Sequence, residues 1–343
     1  MKEGIRFFKW SIAATVAALV AAFLYDGISA LAIVAMLIAL EASISFDNAV
    51  VNAQVLRRMS DFWRKMFLTV GIVIAVFGMR LVFPILIVAV ATGIPIADTV
   101  DQALNDKAQY AENVDKAAPL IGGFGGAFLL MVALSFLLNR DRDVFWLGPL
   151  ERPLAKAGRF RILRVLIAAA AVGITALLVG GSDATDILLA GAVGIVSHLL
   201  VRGGAKLLEK RMSGDEDGGA TGAAGFALFL YLETLDASFS LDGVLGAFAI
   251  STDIVIIALG LGVGALYIRS LTVYLVRHES LAKYRYLTHG ANWAILALSI
   301  VLLASTAAHV PEWLTGTIGL GTIGAAFVSS LVWNRRNPEE AKD

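Results

Sequence analysis

Glu41-Ala-Ser-Ile-Ser-Phe-Asp47-Asn48 and Asp236-Ala-Ser-Phe-Ser-Leu-Asp242-Gly243 are two versions of one short motif, each set inside a long apolar run. Alanine, both serines and the closing aspartate coincide, and the opening acid is Glu in one copy and Asp in the other. The likeness continues downstream. Gly71 and Arg80 have the same separation as Gly260 and Arg269, and Gly126-Ala127 followed by ALSFLL from Ala133 matches Gly290-Ala291 followed by ALSIVL from Ala297. The repeating unit is therefore about half the chain, 1–182 and 183–343.

The surroundings of the motifs set the fold class. In 343 residues with 58% hydrophobic content and a mean hydropathy of +0.77, stretches long enough to cross a hydrocarbon core recur from end to end. They fall near 5–25, 27–53, 65–92, 118–138, 162–181, 184–202, 223–249, 252–277, 289–309 and 313–333. The first follows Lys2, Arg6 and Lys9 as a signal peptide would, but it is longer than a signal core and the repeat needs it as a helix. Backbone groups in lipid must be satisfied within a segment, and no barrel-like alternation is present, so every span is expected to be helical. The expectation is an all-α polytopic transmembrane bundle of about ten helices. With five spans per unit, the second copy runs through the membrane upside down relative to the first, an arrangement that places a site near the midplane.

Charge placement orients the chain. Lys+Arg and Asp+Glu are each 28, a balance that points to no nucleic-acid partner. With the N-terminus in the cytoplasm, every Lys and Arg falls on the cytoplasmic side except Lys107, Lys116 and the intramembrane Arg80 and Arg269. Both termini are then cytoplasmic and the expected location is a bacterial inner membrane. The outer stretch 93–117 is acidic and reads as a solvated loop; 212–222, rich in Gly, reads as a flexible linker.

Five carboxylates, Glu41, Asp47, Glu233, Asp236 and Asp242, lie within the spans against the guanidiniums of Arg80 and Arg269. A charge in the bilayer centre persists only when paired, neutralised or watered, and these leave a formal excess of three negative charges. Protonation, bound cations or both must meet the remainder. Arg80 and Arg269 read as structural counter-ions. Carboxylates with serine and amide oxygens, in a chain with no Cys, suit hard or borderline divalent ions such as Mn²⁺, Mg²⁺ or Ca²⁺. The candidate metal-ligating residues are Glu41, Ser45, Asp47, Asn48, Asp236, Ser240 and Asp242, with Glu233, Arg80, Arg269 and His289 in support. His289 is a candidate proton carrier, whereas His198, His278 and His309 read as interfacial.

At about 100° per residue Glu41 and Asp47 fall on different faces of a regular helix. Either the helix unwinds around the serines and both acids converge, or each acid serves a different neighbour. Serine back-bonding to the preceding turn favours unwinding at Ser43–Ser45, and likewise at Ser238–Ser240. The small residues in GIVIAVFG, GLGVGALY and TGTIGLGTIGAAF read as close helix packing.

EASISFDNAVVNA (41–53) closely resembles the signature acidic helix of the TerC family of integral membrane proteins, grouped with the LysE-type transporters, and DASFSLDGVLGAFA (236–249) resembles that family's return motif. The resemblance implies export of manganese from the cytoplasm, links to tellurium resistance, and roles for Glu41, Asp47, Asn48, Asp236 and Asp242. The sequence departs from the expected pattern in its ten spans, in Glu233, and in Gly243 where the first copy has Asn48.

The expected activity is therefore secondary transport rather than enzymatic catalysis. No nucleotide-binding loop is present, so coupling is expected from an ion gradient, with protons as the natural counter-ion. A metal-sensing or scaffolding membrane subunit, an amino-acid exporter and an intramembrane aspartyl protease using Asp47 and Asp242 are the competing readings. Oligomeric state is not legible.

Overall fold

Gly27 ends one apolar run and lets the next begin: in the computed structural model it has φ 69° and ψ −153°, backbone that only glycine adopts readily, after Asp26 at φ −149°. The structure describes residues 2–160, 162–212, 220–278, 283–308, 310 and 312–337. Among them every element is helical apart from one isolated bridge, where Met59 pairs with Ala220. The elements are α1 (Lys2–Ile44, broken at Asp26–Gly27), α2 (Phe46–Leu56), α3 (Asp61–Val73), a π-helical segment (Ile74–Val82) and α4 (Phe83–Thr92). They continue as α5 (Ile96–Asn105), α6 (Lys107–Leu137), α7 (Gly148–Ala157), α8 (Leu163–Val179) and α9 (Gly181–Met212). The last four are α10 (Gly222–Ile250), α11 (Ile254–Arg277), α12 (Leu287–Ser305) and α13 (Glu312–Arg336).

Seven helical stretches of the described residues are long and apolar enough to cross a membrane. Their outer faces carry large apolar side chains in the open, such as Leu24, Val90 and Leu200, the surface of a helical membrane bundle rather than of a protein bathed in water. Each apolar window read from the sequence falls on helix. α8 is the short one at 17 residues, and α10 is the one that carries Glu233 and Asp236.

α6 is the most enclosed of these spans. Its GGFGG stretch brings neighbours to backbone distance: a Cβ on Gly123 would stand 3.0 Å from the Ile187 carbonyl of α9, and one on Gly126 2.7 Å from Leu303 of α12. The two halves of the chain interleave. α1 lies along α11, where Ser11 donates to the Leu266 carbonyl at 3.1 Å, and α6 lies along both α9 and α12.

Where the site residues sit, the helices are irregular. Ser45, at φ −87° and ψ 20°, separates α1 from α2, so the first motif helix is broken as expected; Ser43 Oγ just before it donates to the Ala39 carbonyl at 2.7 Å. The second is not. α10 runs unbroken from Gly222 to Ile250 although Ser238 Oγ makes the same back-bond, to Thr234 at 2.9 Å. Back-bonding is common to both copies and so is not what breaks the first. The π segment ends just before Pro84, with Phe83 N donating to the Gly78 carbonyl; Pro84 itself has no N–H to offer the Arg80 carbonyl.

Other expectations change. The acidic stretch 93–117 is structured, holding α5 and the start of α6, whose first turn Asp106 caps by accepting from Gln109 N at 3.2 Å. His198 is not interfacial: it is 1% exposed, with its ring edge-on to Phe128 and Tyr231. Gly319, Gly321 and Gly324 of α13 have open space where a Cβ would go, so they do not serve close packing within the chain, whereas Ala326 of the same stretch is buried against Gly290. His309 and most of the Gly-rich 212–222 stretch lie outside the described residues.

Candidate functional site: two buried acid and arginine pairs

Glu41 comes from the end of α1 and Arg80 from the π segment, and both are buried. Glu41 Oε1 lies 2.5 Å from Arg80 Nη2, and Arg80 Nη1 donates to the Ala75 carbonyl at 2.9 Å. Glycines of the second half give the carboxylate its room. A Cβ on Gly243 of α10 would stand 2.7 Å from Glu41 Oε2, and one on Gly264 of α11 would collide with Glu41 Cβ and Cγ.

The second pair repeats the first in α10 and α11. Asp236 Oδ2 lies 2.5 Å from Arg269 Nη2, which also donates to the Gly71 carbonyl at 3.1 Å. The guanidinium carbon stands 3.5 Å from the centre of the Phe67 ring, a cation–π contact away from water. Asn52 of α2 donates from Nδ2 to Asp236 Oδ1 at 2.7 Å. Each acid thus rests on residues of the other half of the chain. The sequence expectation that the two arginines act as counter-ions agrees with this geometry, and Phe67 is a partner that the sequence reading missed.

Arginine pairing does not exhaust the buried oxygens. Glu233, one turn before Asp236, reaches Arg269 only at 3.7 Å, and neither of its oxygens has a hydrogen-bond partner. Ser240 Oγ, Asn48 Oδ1 and Asn52 Oδ1 are buried and unbonded as well. An unmet buried carboxylate carries a desolvation cost of several kcal/mol. Ser45 and Asp47 are buried beside the break, with Asp47 Oδ1 accepting from Asn48 N at 2.9 Å. The side chain of Asp242 lies outside the described residues.

The break at Ser45 leaves Glu41 bound to Arg80, so the reading in which this acid serves a neighbouring arginine holds together with the unwinding. Among the described residues no three His, Asp or Glu side chains are grouped closely enough to hold a metal ion. The arrangement is a set of ion-paired carboxylates with spare oxygens around it rather than a closed ligand cage.

Residues 46–337 match a family described as proteins of unknown function, DUF475. The chain belongs to the DUF475 family. The region of this chain matched to DUF475 takes in Asp47, Arg80, Arg269 and the whole second motif, and begins just after Glu41. No curated protein and no solved structure matches the chain.

His289 lies apart from the acids in this DUF475 chain. Its Nε2 is 2.8 Å from the Val144 carbonyl and 3.6 Å from Glu151 Oε2. Glu151, fully buried at the start of α7, accepts from Trp293 Nε1 at 2.9 Å and from Arg142 Nη1 at 3.3 Å. Burial draws the Arg142 guanidinium below its ordinary value, with Glu151 pulling it back up. This cluster clamps the stretch after α6 onto α12. Nothing in a hydropathy window marks Glu151, which sits in a short polar segment.

Proposed function

We propose that the chain is a secondary transporter that exports a divalent metal cation, Mn²⁺ before Ca²⁺ or Mg²⁺, through an intramembrane carboxylate site between two inverted five-helix repeats, 1–182 and 183–343. The observation that carries the reading is the doubled pair: Glu41 with Arg80 and Asp236 with Arg269, at matching places in the two motifs, with Asn52 of the first half donating to Asp236. With Glu233 unmet and amide and hydroxyl oxygens spare around it, the repeated pair suits a site that exchanges cations and protons. The likeness of 41–53 and 236–249 to the TerC motifs supports manganese as the ion.

In this mechanism the arginines hold one acid of each repeat, while Asp47, Asp242 and Glu233 receive the cation with the oxygens of Ser45, Asn48 and Ser240. Carboxylates that repel one another take up protons as the cation leaves, which makes proton antiport the natural coupling. The break at Ser45 gives the first repeat a hinge that α10 lacks. Both termini would be cytoplasmic, in a bacterial inner membrane.

The test is flux of Mn²⁺, Ca²⁺ and Mg²⁺ in proteoliposomes with an imposed proton gradient. Wild type should transport and Asp47→Asn and Glu233→Gln should not. Metal binding without flux would instead favour a sensing or scaffolding subunit, and equal behaviour of wild type and both variants would sink the transport reading.

A further inference from the structure

We propose that a cavity between the ends of α6, α8 and α9 binds a phosphate group, carried either by a phospholipid headgroup or by free inorganic phosphate. The cavity measures ≈ 420 Å³ and its wall includes Arg140, Arg159, Arg164 and Arg202, with Ser135. It is separate from the acid and arginine pairs, and its argument does not rest on transport.

Charge carries the first step. Four guanidiniums face one carboxylate, that of Asp141, and among the described residues none of the four makes an ion pair. Among the described residues the one side-chain hydrogen bond from these four arginines is Arg164 Nη1 to Ser135 Oγ at 3.3 Å. Like charges gathered around one concavity repel unless an anion joins them, and the low-dielectric helix walls strengthen both effects. The guanidinium fork matches the oxygens of a phosphate two at a time.

The backbone adds to it. α8 starts at Leu163 with no side chain capping its first turn; the Leu163 N–H is taken by the Phe160 carbonyl at 3.0 Å, and the positive end of the 17-residue helix lies beside Arg164. Gly158 lets the chain after α7 press on the end of α6, since a Cβ there would run into the Leu138 carbonyl. That contact sets Arg159 at the cavity wall. The rim is apolar at one point: Phe160 is 54% exposed, with the Arg159 guanidinium 4.5 Å from its ring centre. A basic pocket between spanning helices with an aromatic lip is the chemistry of an anionic lipid headgroup site.

The experiment uses the full chain, stripped of lipid in detergent. Phosphatidylglycerol, cardiolipin, phosphatidylcholine and inorganic phosphate are the probes, read by native mass spectrometry and by thermal unfolding. Arg140→Gln with Arg159→Gln alters two exposed loop residues and leaves the helices intact; Arg335→Gln with Arg336→Gln, at the exposed end of α13, is the control for surface charge. If a headgroup is the ligand, the cavity pair weakens anionic-lipid binding about tenfold and the control pair does not. If free phosphate is the ligand, about millimolar phosphate raises the unfolding temperature of wild type and control, not of the cavity pair, and lipids do not discriminate. Equal binding of every probe by all three proteins, or equal loss in cavity pair and control, overturns the proposal.

Discussion

Asn52 gives its Nδ2 hydrogen to Asp236 Oδ1 at 2.7 Å, so the helix that follows the first motif is tied directly to the acid that opens the second. Asn52 is fully buried and its own Oδ1 is unbonded. Asn52→Leu should lower stability by about 1–3 kcal/mol, because Asp236 loses a donor it cannot replace from water. Asn52→Asp should cost more, by setting a second carboxylate against Asp236. Thermal unfolding in detergent measures both; a silent Asn52→Leu would mean the bond does not couple the halves.

The two arginines should differ in how they are rescued. Arg80→Met strands Glu41 and should cost roughly 3–5 kcal/mol, and adding Glu41→Gln should restore most of it. Arg269→Met strands Asp236 and also removes the cation nearest Glu233, so Asp236→Asn alone should restore only part. Double-mutant cycles on unfolding free energy report the coupling directly.

Glu233→Gln removes a buried charge that has no hydrogen bond, keeping the shape of the side chain. Stability should hold or rise, by up to about 1–3 kcal/mol, while cation flux falls. Loss of fold instead would show that the carboxylate is needed by Arg269 as a structural partner.

Gly264→Ala should destabilise by about 1–3 kcal/mol, because the new methyl runs into Glu41 Cβ and Cγ in a packed interior. Gly243→Ala meets only the end of that side chain, Oε2, which can swing away. It should cost less stability and act on the Glu41 and Arg80 pair. A crystal or cryo-EM structure of each variant would show which atom yields.

At the other end of α11, Asp253 Oδ1 caps the helix by accepting from Val255 N at 2.8 Å, and Oδ2 lies 2.5 Å from Lys107 Nζ. Burial raises this carboxyl, but the Lys107 bond and charge and the two backbone donors outweigh it, so it lies below the ordinary carboxylate value. The stability from a depressed carboxyl is present above the unfolded value, about 3.9, and is lost as pH falls through the folded one. Asp253→Asn should therefore flatten unfolding on the acid side and leave neutral pH changed by less than about 1 kcal/mol, as Lys107 is partly exposed. An unfolding series from pH 2 to 7 tests this; an unchanged acid limb would remove Asp253 from it.

The sequence by itself determined that the chain is a helical membrane protein, where its apolar spans fall, and that two intramembrane arginines stand against an excess of acids, because hydropathy and the repeated motif are properties of local sequence; which acid meets which arginine came from the structure. It also pointed to Ser43–Ser45 and Ser238–Ser240 as places for a break, through the conflict between the two acids of each motif on one helix, and of these only the first is broken. The tertiary structure alone decided that α10 stays continuous despite the same serines, that His289 belongs with Glu151, and that Phe67 and Gly71 close around Arg269. Those outcomes depend on which helices pack side by side, and packing joins residues as distant as Gly71 and Arg269, whose adjacency no window along the chain contains.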